Sequence, residues 1–123
     1  MANEKILVVD DDKNICELLR LYLVKEGYNV TMVHDGSAAL TEFDKLHPDL
    51  VLLDVMMPVM DGYMATKKIR SLEDSDLANI PIIALSANAF EEDRKVSTDA
   101  GMNGHLAKPV NVSELLKMLC KLL

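Results

Sequence analysis

The sequence predicts an α/β fold, with five parallel strands in one sheet and helices on both faces. Three observations carry this expectation. Short continuous apolar runs recur along the chain, as in strands covered on both faces. Between them lie segments whose apolar residues fall at helical spacing, the pattern of helices with one buried stripe. Regular alternation of the two requires crossover connections, which make the strands parallel and the crossovers right-handed.

The elements follow in order. "ILVV" at 6–9 is the first strand, and Asp10, Asp11 and Asp12 stand at its end. Asp12 fits the start of the first helix, where an anion suits the dipole. Ile15, Leu18, Leu19, Tyr22 and Leu23 form that helix's stripe, which Gly27 ends. "YNVTMV" at 28–33 is a weaker, β-branched strand, and Asp35-Gly36 opens a helix over 37–46. "LVLL" at 50–53 is the third strand. Asp61 reads as the turn and cap residue before Gly62 and a helix over 63–72. "IIAL" at 82–85 is the fourth strand. Asn88 with Glu91 caps a helix over 89–100, whose few apolar residues are Phe90, Val96 and Ala100. The short run at 104–107 is the fifth strand. Asn111 with Glu114 caps the last helix, which carries Val112, Leu115, Leu116, Leu119, Cys120 and Leu123. No repeat, low-complexity tract or linker-like segment intervenes, so residues 1–123 read as one domain.

Composition narrows the function classes. Half of the 123 residues are hydrophobic and 27% are charged, with no Trp, so an aliphatic core is expected. A net charge of -7 argues against direct nucleic-acid binding, which needs clustered Lys and Arg. Polar residues follow Met1, and no run approaches the length of a membrane span. Cys16 and Cys120 lack metal-ligand spacing and read as reduced, buried or half-buried thiols of a cytoplasmic protein. His34 and His47 read as exposed loop residues, and Met56, Met57, Met60 and Met64 as loop and core packing.

Ligands of open α/β sheets bind beyond the carboxyl ends of the strands. Asp10 and Asp11 follow the first strand there, Asp54 the third, Ser86 the fourth, and Lys108 with Pro109 the fifth. The second strand brings only His34 and Asp35, as befits an outer strand away from the site. Clustered carboxylates need a cation to stay ionised together. A hard divalent ion such as Mg2+, which takes few carboxylates, leaves room for phosphoryl oxygens. Lys108 then offers a point charge and Ser86 a hydrogen bond to a phosphate. With no Ser-His or Cys-His pair and no Gly-rich loop, the nucleophile is a carboxylate, which can form an aspartyl phosphate.

Three rivals fail on particular positions. A calcium loop spanning Asp10, Asp12 and Asn14 needs Gly at Ile15 and Glu at Leu21. A phosphatase with an Asp nucleophile needs a second acid where Met56 stands. A flavin site would not tolerate three acids after the first strand.

"VVDD", "LVLLDVMMPVMDG", "PIIALSA" and "HLAKP", in that order, resemble the receiver domain of two-component response regulators. The resemblance covers about residues 5–119. It implies a flavodoxin-like (βα)5 three-layer sandwich with strand order 2-1-3-4-5. It also implies Asp54 as phosphoacceptor, phosphorylated by a sensor histidine kinase or phosphotransfer domain. Asp10 and Asp11 would hold Mg2+ with Asp54 and the main-chain carbonyl of Met56. Lys108 would contact the phosphoryl group, with a cis bond before Pro109, and Ser86 would be the switch hydroxyl. The domain would be no enzyme beyond its own phosphorylation and dephosphorylation. It would switch the face of the fourth helix, last strand and last helix toward an output domain, a target protein or a second copy. His105 departs from the family's usual aromatic at a switch position. Two alternatives stay open: an interaction module independent of phosphorylation, and a receiver excised from a hybrid sensor histidine kinase.

Overall fold

The computed structural model describes residues 4–55, 62–86, 91–108 and 110–123. The strands are β1 (Lys5–Val9), β2 (Asn29–Val33), β3 (Leu50–Asp54), β4 (Ile82–Ser86) and β5 (Gly104–Ala107). The helices are α1 (Lys13–Lys25), α2 (Gly36–Leu46), α3 (Gly62–Arg70), α4 (Ser75–Ala78), α5 (Glu91–Ala100) and α6 (Val112–Leu122). All strand pairs are parallel, in the order β2-β1-β3-β4-β5, as the resemblance implied.

Strand residues alternate between faces, and the sheet therefore divides two cores. Leu7, Val9, Val51, Leu53, Ile82 and Ala84 face Ala39 and Phe43 of α2 and Ala65 and Ile69 of α3. Ile6, Val8, Leu50, Leu52, Ile83, Leu85 and Leu106 face Cys16, Leu19 and Leu23 of α1 and Leu115 and Leu119 of α6. Each fully buried Leu or Ile contributes about 1.5–3 kcal/mol of transfer free energy, which is why the three central strands carry unbroken apolar runs.

Helix ends follow local chemistry. Asp12 caps α1 by accepting from the amides of Asn14 and Ile15, and Asp35 caps α2 through Ala38. Asn111 accepts from the Glu114 amide, as its spacing predicts. Gly27, at φ 91°, takes the left-handed turn after α1 that an L side chain resists. The predicted Asn88 cap and the Asp61 turn lie outside the described residues.

Four expectations are corrected. The packed stripe of α1 is Cys16, Leu19 and Leu23, while Leu18 and Tyr22 are exposed; α1 has apolar residues on adjoining faces, and the sheet takes only one. On α5, Val96 is exposed and Ser97 is buried with Ala100. Cys120 and Met64 are exposed rather than packed. The segment after α3 forms the extra one-turn helix α4, too short to show a period. His47 is exposed and outside the helix, as expected, and closes α2 in the left-handed region at φ 49°.

Arg70, the last residue of α3, joins three segments. Its guanidinium donates to the carbonyl oxygens of Gly101 (2.9 Å), Ala78 (2.8 Å) and Ile80 (2.8 Å), and to Asn103 Oδ1 (2.7 Å). Asn103 Oδ1 also accepts from the Ile82 amide at 2.9 Å. One side chain thus ties together the segments that lead into β4 and into β5. Among the described residues, no helix is long and apolar enough to cross a membrane.

Candidate functional site

β1, β3, β4 and β5 end at one edge of the sheet, and each delivers a polar residue there. Asp10 directly follows β1, Asp54 is the last residue of β3, Ser86 is the last of β4, and Lys108 directly follows β5. The ladder sets their spacing, because Asp54 is in register with Leu85 and Ser86 with Ala107. The Lys108 amide then donates to the Ser86 carbonyl at 2.8 Å.

These positions are buried although they are polar. Asp10 is 0%, Asp54 2% and Ser86 3% exposed, while Asp11 is exposed. Carboxylate oxygens of Asp10, Asp11 and Asp54 lie within 4.8 Å of one another. Lys108 Nζ is 2.8 Å from Asp10 Oδ2 and 3.4 Å from Asp54 Oδ2. Asp10 Oδ1 accepts from the Asp12 amide at 2.9 Å. The Lys108 contact with Oδ2 is a close charge contact; among the described residues no aligned hydrogen bond reaches that oxygen.

Three carboxylates facing one ammonium leave two formal negative charges unmatched. Buried charge of that kind is costly unless it is paired. A small divalent cation with oxygen ligands matches both the deficit and the donor set. The buried Oδ2 of Asp10, lacking an aligned donor, fits the same group. Burial by itself would lower the pKa of Lys108. Contact with Asp10 and the charge of Asp54 outweigh it and hold the ammonium above its ordinary 10.5.

The structure thus brings together Asp10, Asp11, Asp54, Ser86 and Lys108. The carbonyl of Met56 and the bond before Pro109 lie outside the described residues. His105 stands apart from the carboxylates, on β5, where its Nδ1 is 3.3 Å from Ser97 Oγ of α5. It lines an open groove of about 540 Å³ with Ser97, Asn103, Glu114, Lys117 and Met118.

Sequence reasoning missed two neighbours of Asp10. His34 is half-buried rather than exposed, and its Nδ1 lies 3.1 Å from the Asp10 carbonyl oxygen. Cys16 Sγ donates to the same oxygen at 3.3 Å. Burial first, and then the charge of Asp10, push the Cys16 thiol up to about 11. Position alone could have flagged His34, since it directly follows β2 at the same edge. Cys16 carries no such signal, because its contact is to main chain.

Residues 6–120 match the response regulator receiver domain, and the chain belongs to that family. It is a receiver domain of two-component signalling. It is 40% identical to the response regulator MprA of Mycobacterium avium, over 97% of this chain and 50% of that protein. The chain therefore spans half the length of that relative. The chemotaxis protein CheY4 of Vibrio cholerae superposes with a TM-score of 0.90 at 34% identity, covering 99% of this chain and all of that one. The receiver domain of sensor histidine kinase PA1611 from Pseudomonas aeruginosa PAO1 is 40% identical, with a TM-score of 0.87, over 98% of this chain and 97% of that one. That structure has a magnesium ion coordinated in its active-site cleft.

Proposed function

We propose that residues 1–123 act as a single phospho-accepting receiver domain, in which Asp54 takes a phosphoryl group in a Mg2+-dependent reaction. The donor is a phosphohistidine of a sensor histidine kinase or phosphotransfer domain. One observation carries the reading: Asp10, Asp11 and Asp54 converge within 4.8 Å with Lys108 Nζ on two of them. Asp10, Asp11, Asp54 and the Met56 carbonyl would hold Mg2+, which when bound offsets the charge of the phosphoryl oxygens.

The protein's own residues do the rest. A carboxylate oxygen of Asp54 attacks phosphorus as the P–N bond to the donor imidazole breaks. The new P–O bond joins the phosphoryl group to Asp54. The imidazole nitrogen keeps the electron pair and takes up a proton from solvent. Lys108, already beside Asp54, meets one phosphoryl oxygen with its ammonium. Ser86, one strand away, donates to another and is drawn toward it. Positioning and charge complementarity supply most of the acceleration, and the domain turns over no other substrate.

Movement of Ser86 shifts the end of β4, which is paired to β5. The affected face is that of α5, β5 and α6, where His105 touches Ser97. That face would engage an output domain, a target protein or a second copy of the chain, and not nucleic acid directly. A cytoplasmic location accompanies this reading.

Incubation with Mg2+ and a small acyl phosphate, followed by intact mass, tests the core. A hydroxylamine-labile phosphoryl adduct is expected in the parent protein and not in Asp54→Ala. No adduct on the parent would favour an interaction module that works without phosphorylation. Amide exchange over residues 86–108, with and without a beryllofluoride mimic, tests the switch; equal protection in both states would count against it.

A further inference from the structure

We infer that His34 is a positioning residue for the Mg2+ site, acting through the main-chain carbonyl of Asp10. The inference rests on the Mg2+ reading above. Regular pairing of β1 and β2 ends at Val9 and Val33. One more rung follows, from the Asp10 amide to the Val33 carbonyl at 3.2 Å. The chain then turns into α2, with Asp35 as its cap. At that step the His34 imidazole takes over from the main chain and reaches Asp10 O at 3.1 Å.

A carbonyl oxygen can only accept, so Nδ1 must carry a proton in this contact; the same nitrogen lies 3.7 Å from Cys16 Sγ. Cys16 Sγ is the second donor to the same oxygen, but a thiol is a weak one. The imidazole is therefore the main tie. Every polar atom of Asp10 except Oδ2 then has a hydrogen-bond partner. Its amide is bonded to Val33, its carbonyl to His34 and Cys16, its Oδ1 to the Asp12 amide, and its Oδ2 faces Lys108.

The consequence concerns metal affinity. β2 is an edge strand, paired in the sheet to β1. The His34 bond anchors the end of β1 to it where the backbone ladder stops. Fixing the carbonyl of Asp10 fixes the peptide that leads into Asp11, and so the directions of both carboxylates. Groups that orient ligands in this way change metal affinity by about 10–100-fold when removed.

The test is Mg2+ binding by titration calorimetry at one mildly alkaline pH, with thermal melts in EDTA alongside. His34→Leu removes the donor and keeps much of the bulk; Mg2+ affinity about 10-fold weaker than the parent is expected. His34→Asn places an amide nitrogen where Nδ1 lies and should stay within about 3-fold of the parent. A role confined to stability would lower the EDTA melting temperature and leave Mg2+ affinity alone. His34→Gln, with its amide one bond further out, gives the same reading as Leu should the Leu variant not fold. Parent-like Mg2+ affinity in the Leu or Gln variant, or Asn as weak as either, overturns the role of His34 while the Mg2+ reading stands. A parent protein that binds no Mg2+ overturns both.

Discussion

Replacing Gly62 with alanine would put a methyl group against the main chain of the strand that bears Asp54. A Cβ built at Gly62 lies 2.5 Å from Asp54 O, 2.9 Å from Val55 Cα and 3.0 Å from Asp54 C, where ordinary contact begins at 3.4 Å. About 0.9 Å of separation must therefore be found. The body of β3 cannot supply it, because it is hydrogen-bonded to β1 on one side and β4 on the other and is buried along its length. The displacement is shared between α3, packed through the buried Ala65, Thr66 and Ile69, and the clashing Asp54–Val55 peptide at the strand's end. Overpacking of this kind costs about 1–3 kcal/mol. A displacement near 1 Å at a reacting group costs up to about 100-fold in rate. Gly62→Ala is thus expected to lower urea stability by about 1–3 kcal/mol and to slow adduct formation at Asp54 by about 10- to 100-fold. Both are measured on one preparation, by urea titration and by intact mass with an acyl phosphate. A variant with parent stability and parent rate would refute the claim that this close approach sets the position of Asp54.

Four further outcomes follow from the same structure. Arg70→Lys exchanges a fork serving four acceptors for a single ammonium and should cost about 1–3 kcal/mol in urea unfolding, with adduct formation by the folded protein unchanged. Brief exposure to a maleimide should modify Cys120 alone, since Cys16 is buried with its thiol pushed up to about 11; a prompt second adduct would contradict this. Mg2+ at 100 times its dissociation constant should stabilise the protein by about 2.7 kcal/mol, raising the melting temperature, and the rise should vanish in Asp54→Ala. Lys108 is held above 10.5 by Asp10 and Asp54 despite its burial, so its raised pKa stabilises the fold fully below that value. In metal-free buffer that contribution should be lost as pH climbs through the folded pKa, and Asp10→Asn should flatten the loss.

The sheet could be read from the chain because strands covered on both faces have no polar half to hide. The site was legible for the opposite reason: carboxylates, a hydroxyl and an ammonium stand where those apolar runs stop. What escaped were choices between similar surfaces and contacts to main chain. α1 offers apolar residues on adjoining faces, and nothing in its spacing says that Cys16 and Leu19 pack while Leu18 does not. On α5 hydropathy favours Val96, yet Ser97 is buried because its hydroxyl meets His105. Nothing in the sequence marks Arg70, since its acceptors are mostly carbonyl oxygens that side-chain identity does not reveal. His34 escaped for the same reason.

The reacting groups belong to strands that the chain lays down far apart. Asp10 comes almost at the beginning and Lys108 almost at the end, with Asp54 midway. No fragment holds the set, and a chain still being synthesised presents carboxylates without their ammonium until β5 has been added beside β4. On the proposed reading, competence for phosphoryl transfer would report a finished sheet. A misassembled or truncated molecule would then be silent to a phosphodonor, and the geometry of the strand ends would double as a proofreading step on folding.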